Sequence, residues 1–156
     1  MENVNRHIVP NAVMLGEVRR MVADGHTVAF KVKGRSMLPF IVGDRDSVML
    51  AKPADLRVGD IVLAELSEGT YVLHRIIRIE ENRLVLMGDG NVRGTESCPI
   101  GGVAGKAITI VRDGKYINPD SAWERACVRL WRWLLPIRRY LLLLIKPIFH
   151  AHLPLI

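Results

Sequence analysis

Short runs of β-forming residues, parted by gaps of hairpin length, constrain this chain most. Residues 27–32 (TVAFKV), 46–51, 60–66, 71–79, 83–87 and 103–111 are rich in Val, Ile, Leu, Thr or aromatic side chains. The breaks between them carry turn chemistry: Val42-Gly43-Asp44, Val58-Gly59-Asp60, Ser67-Glu68-Gly69-Thr70, Glu80-Glu81-Asn82 and Gly88-Asp89-Gly90-Asn91. Strands this short and this closely spaced pair as antiparallel neighbours. The expected fold class is therefore mainly β, a compact antiparallel domain. The length of 156 residues suffices for one domain with a real hydrophobic core.

Helical patterns flank the strands. Asn11 is a good N-cap, and Val13, Met14, Val18, Met21 and Val22 recur at helical spacing before Gly25 stops the pattern. Residues 112–121 (RDGKYINPDS) are a polar turn and linker. From 122 to 148 the chain is rich in Trp, Leu and Arg and predicts a helix interrupted by Pro136 and ended near Pro147. The expected segments are a helical piece over 1–26, the β domain over 27–116 and an amphipathic piece over 121–156.

Charge and cysteine usage narrow the function classes. The tail from Ser121 holds six basic residues against one acid, Glu124, so most of the net charge of +6 sits there. Cys98 and Cys127 form no CxxC or Cys/His pattern, which argues against a disulfide scaffold or a zinc site. No metal or cofactor is expected. The first residues, MENVNRHIVPN, lack the apolar core of a signal peptide.

Three segments can carry chemistry. Gly34-Arg35-Ser36-Met37-Leu38-Pro39 follows a predicted strand and leads into a proline-stiffened turn. A serine hydroxyl there becomes a nucleophile only with a nearby base and donors for the developing oxyanion. His74 interrupts the apolar strand around residues 71–77. It shares a face with Val72 and Ile76, a low-dielectric setting that keeps imidazole a neutral base. Asp89 lies between two glycines and could orient His74. Taken singly, these are also what a strand-end turn, a core histidine and a hairpin aspartate look like.

In their order and spacing the segments resemble the superfamily that joins type I signal peptidases with LexA-type self-cleaving repressors. The resemblance covers roughly residues 27–111. It rests on the Ser36 box, Val42-Gly43-Asp44, Val58-Gly59-Asp60-Ile61-Val62, His74-Arg75-Ile76, Gly88-Asp89-Gly90-Asn91 and Val103-Ala104-Gly105-Lys106. It implies a serine endopeptidase with Ser36 as nucleophile. Most bacterial members use a lysine base; His74 in that place resembles the endoplasmic-reticulum-type branch, where histidine replaces lysine. Asp89 then matches that branch's aspartate. Some bacterial members carry a serine two positions before the nucleophile. Here that position is Gly34, which leaves backbone groups at Gly34, Ser36 and Met37 as the expected oxyanion donors.

The tail reads as a membrane-surface helix. At about 100° per residue, Arg125, Arg129, Arg132, Arg139 and Lys146 fall in one stripe. Trp123, Cys127, Leu130, Leu134 and Leu141 lie mostly across from it. Trp131, Trp133 and Tyr140 are types that favour the headgroup zone. The expected membrane contacts are Trp131, Trp133, Arg138 and Arg139, on an anionic surface at the cytoplasmic face. The competing reading packs the tail's apolar side on the β domain or in an oligomer. Nucleic acid is not expected, because the basic residues are interleaved with bulky aliphatics. The expected substrate is a peptide or precursor protein. The alternative is a non-catalytic peptide- or partner-binding module on the same fold. A self-cleaving regulator would need a DNA-binding domain for which the roughly 25 residues before the β domain are too few.

Overall fold

The computed structural model describes residues 11–150. The start of the expected 1–26 segment and the last six residues of the tail lie outside the described residues.

Helix α1 spans Asn11–Ala23 and buries Val18 and Val22. The strands are β1 (Val28–Lys31), β2 (Ser47–Ala51), β3 (Ile61–Ser67), β4 (Thr70–Glu80), β5 (Arg83–Met87), β6 (Glu96–Pro99), β7 (Val103–Arg112) and β8 (Lys115–Ile117). They form one antiparallel sheet in the order β1-β2-β7-β3-β4-β5-β6, with β8 pairing beside β7. Helix α2 (Ala122–Trp133), a 3₁₀ turn over Leu135–Ile137 and helix α3 (Arg138–His150) follow to the end of the described residues.

Strand β3 explains why its sequence is apolar without alternation. Ile61 and Leu63 join a core built from α1, β1, β2 and β7, whereas Val62 and Ala64 join a second core with β4, β5 and β6. A strand covered on both faces has no polar side to show. Each core also draws on distant chain: Val22 of α1 in the first, Cys98 of β6 in the second.

A third cluster holds the tail. Leu38 and Val42, from the loop after β1, pack with Trp131 of α2 and Leu142 of α3. Ser121 caps α2 by accepting from the Glu124 N–H at 3.2 Å. Arg125 of α2 donates to the buried Asp60 at 2.6 Å, so the helix is also ionically tied to the end of the β2–β3 loop. Lys106 meets the same carboxylate at 3.1 Å.

The predicted strands all form, with ends shifted by a residue or so. Strands β6 and β8 were not expected. Each is very short, and its extended backbone is set by its partner: Glu96–Pro99 by β5, Lys115–Ile117 by β7. Pro136 does split the tail helix, within the 3₁₀ turn. Pro147 does not end α3, which runs through it to His150.

Candidate active site

The loop after β1 presents Ser36. Its two ends are drawn together: Val32 donates to Asp46 O at 3.0 Å and Asp44 donates to Val32 O at 2.8 Å. Gly34 has φ of 82°, in the left-handed region that favours glycine. A side chain at Gly43 would lie 2.1 Å from Gly34 O, so only glycine lets the two strands of the loop touch. The buried Asp46 carboxylate then organises the turn, accepting from the Val42 N–H at 2.9 Å and from Arg45 at 2.7 Å. Arg112 reaches it at 3.2 Å and also donates to Phe40 O at 2.7 Å. Burial raises the Asp46 pKa, but the bonds from Arg45, Val42 and Arg112 outweigh it and hold the carboxyl below its ordinary range. The peptide between Leu38 and Pro39 is cis.

Strand β4 presents His74. It pairs with Val62 of β3 and is buried on the Ile76 face, as the alternation predicts. Its Nδ1 lies 2.9 Å from Glu96 Oε2, at the first residue of β6. The turn after β5 joins the two segments. Gly90 N–H donates to Ser36 O at 2.8 Å. A Cβ on Gly88 would sit 2.3 Å from Ser36 O and 3.1 Å from His74 Nε2; one on Gly90 would sit 2.5 Å from Arg35 O. Both glycines are therefore required by close approach: the Gly88-to-Asn91 turn lies directly against the backbone of the Ser36 loop, beside Nε2 of the imidazole.

Ser36 and His74 line one cavity of about 170 Å³, together with Phe30 to Lys33 of β1 and its extension, Tyr71 to Leu73 of β4, and residues of α1. Strand β1 is an end strand of the sheet, bonded to β2 on one side.

Asp89 is not where the sequence places it. It does not face His74 but forms a two-pronged pair with Arg75, at 2.8 and 2.7 Å, with both side chains buried. Arg75 also donates to Gly59 O at 2.7 Å, and the Asp89 carbonyl accepts from Trp131 Nε1 at 2.8 Å. Neighbouring strand residues point to opposite faces. Asp89 follows Arg75, on the face away from the imidazole. The carboxylate at His74 is Glu96, which the sequence reading missed. Glu96 belongs to a strand without a periodic signal, 22 positions from His74.

Two of the expected membrane contacts are also corrected. Trp131 is 7% exposed and Arg138 is 3% exposed. Arg138 stacks over the Trp131 ring at 5.2 Å and donates to Asn91 O and Trp131 O, both at 3.1 Å. These two side chains clip the tail to the Gly88-to-Asn91 turn and cannot reach a bilayer. Trp133 and Arg139 are exposed.

The model of the family described as Peptidase S24-like matches residues 2–108. This chain belongs to the Peptidase S24-like family. That places it in the LexA and signal-peptidase-like superfamily of serine peptidases and accounts for the mainly antiparallel fold. Comparison with curated proteins gives no match. The S24-like match takes in α1, β1 to β6 and the Ser36–His74 cavity. It ends inside β7, before α2 and α3.

Proposed function

We propose that this S24-like protein is a serine endopeptidase of signal-peptidase-like type, acting through Ser36 and His74 with Glu96 as the positioning carboxylate. The observation that carries the reading is the shared cavity of Ser36 and His74, with the far imidazole nitrogen held by Glu96. A proton on Nδ1, donated to Glu96, leaves Nε2 with its lone pair free. Nε2 accepts the Ser36 hydroxyl proton as Oγ bonds to the scissile carbonyl carbon. The backbone N–H groups of Ser36 and Met37 are the donors closest in sequence to the oxyanion that forms. Gly34 contributes by shaping the loop, its own peptide group packed against Gly43.

As the tetrahedral species collapses, the C–N bond breaks and Nε2 delivers its proton to the leaving amine. Water, deprotonated by the same nitrogen, then hydrolyses the Ser36 ester and restores the hydroxyl. Glu96 stabilises the imidazolium formed in both halves. The outer edge of β1 beside the cavity, unpaired by any strand among the described residues, suits an extended peptide, which would add to the sheet through main-chain hydrogen bonds.

The test compares wild type with Ser36→Ala and His74→Ala on a membrane-associated precursor with small residues before its cleavage site. Cleavage by purified wild type, lost in both variants, supports the reading. Cleavage that survives both changes overturns the assignment, and wild-type binding of the precursor without cleavage would favour a non-catalytic module.

A further inference from the structure

Helix α3 has three faces rather than two. One face, with Arg138, Leu142, Ile145 and Phe149, packs inward on the loop that carries Ser36 and on α2. A second face is apolar yet turned to solvent. On it Tyr140 is exposed, Leu143 is 66% exposed, Leu144 is 71% exposed and Ile148 follows one turn later. Between these two runs a basic strip of Arg139 and Lys146, both exposed. At the end of α2, Trp133 is 78% exposed, the highest value among the large hydrophobic side chains there. Large apolar side chains grouped on one helix face are costly to leave in water and mark an interaction surface.

We propose that this outer face of α3, with Trp133, lies in the surface of an anionic lipid bilayer. Charge decides between occupants. Residues 125–150 contain no Asp or Glu. In a two-fold contact between copies the patch would face itself, bringing Arg139 and Lys146 against like charges with no acid in the segment to pair them. An anionic headgroup layer complements the basic strip, while the apolar face enters the acyl boundary. Trp and Tyr at that boundary have an apolar body and a polar tip, as the interface requires. No helix among the described residues is long and apolar enough to cross a membrane, so α3 would lie along the surface. The proposal does not depend on the peptidase reading: α2 and α3 lie outside the S24-like match.

The experiment is sedimentation of the full chain with vesicles of phosphatidylcholine alone and of phosphatidylcholine mixed with phosphatidylglycerol. Binding is expected to the mixed vesicles and to be much weaker on the neutral ones. Replacing Arg139 and Lys146 by Gln should lower partitioning about fivefold for each charge removed. Leu143→Glu combined with Leu144→Glu should abolish binding, with an unchanged circular dichroism spectrum and thermal midpoint because both side chains are exposed. Binding by the double Glu variant equal to wild type overturns the proposal. So does indifference to lipid charge, or failure of wild type to bind. A dimer in light scattering that the Glu substitutions dissolve, without vesicle binding, would assign the face to self-association instead.

Discussion

The imidazole Nδ1 of His74 lies 2.9 Å from Glu96 Oε2, while the aspartate of the neighbouring turn, Asp89, is taken up by Arg75. Two carboxylates near one histidine thus have separate duties. If Glu96 holds the imidazole tautomer, Glu96→Gln should reduce kcat on the order of 10²-fold with little change in KM. The Nδ1 proton resonance of His74, shifted far downfield by a carboxylate partner, should move upfield in the same variant. A full-strength kcat together with an unmoved resonance would remove Glu96 from the mechanism.

Asp89 should behave as a structural residue. Asp89→Ala strands the buried Arg75 guanidinium and is expected to cost about 3–5 kcal/mol, read from urea unfolding midpoints. Combining it with Arg75→Met should recover part of that loss, since an apolar chain replaces an unpaired charge. A stable Asp89→Ala protein that lacks peptidase activity would restore the aspartate to a direct role in the chemistry.

The glycines of the Gly88-to-Asn91 turn should be intolerant of a methyl group. Gly88→Ala puts its Cβ 2.3 Å from Ser36 O and 3.1 Å from His74 Nε2, so something must shift at the site itself. Overpacking of this kind costs about 1–3 kcal/mol and should lower activity further than it lowers stability. Gly101→Ala, with nothing within 4 Å of the new atom, is the matched control. Equal activity of the two variants would show that the turn does not set the site's geometry.

Acid should weaken the fold through Asp46 and Asp60. In both, burial raises the pKa but hydrogen bonds and cations outweigh it, leaving the folded value depressed. A depressed folded value means that the stabilisation is complete above the unfolded pKa of about 3.9 and is lost as pH falls through the lower folded value. Unfolding midpoints should therefore hold near neutrality and drop progressively below about pH 4. Asp46→Asn should flatten that drop while lowering stability at pH 7. An acid transition as steep in the variant as in wild type would mean that other groups govern it.

The strands were legible where their own residues announce them. Alternation in β1, and the unbroken apolar run of β3, follow from burial on one face and on two. Strands β6 and β8 were hidden because four and three residues carry no period, and their backbone is fixed by partners far along the chain. The same distance hid Glu96. The misplacement of Asp89 has a sharper cause. Composition marks a turn aspartate but not which cation claims it, and Arg75, one residue from His74, points to the other face. The tail's amphipathicity was evident, but a helical wheel cannot say which of two apolar faces meets protein. Trp131 turned inward and Trp133 outward, two residues apart in one helix.

Met37 and Leu38, the residues that follow Ser36, are both buried, but in different places. Met37 enters the core beneath α1, and Leu38 enters the cluster under α2 and α3. The aim of the serine hydroxyl is therefore set by two independent bodies of side chains, pulling on adjacent links of one chain. A substitution at Leu142, remote in sequence, would loosen the cluster that seats Leu38 while Met37 stays anchored in the other core. The tail is therefore part of what holds the Ser36 loop: its packing residues, Trp131 and Leu142, can vary only as far as the seat of Leu38 allows.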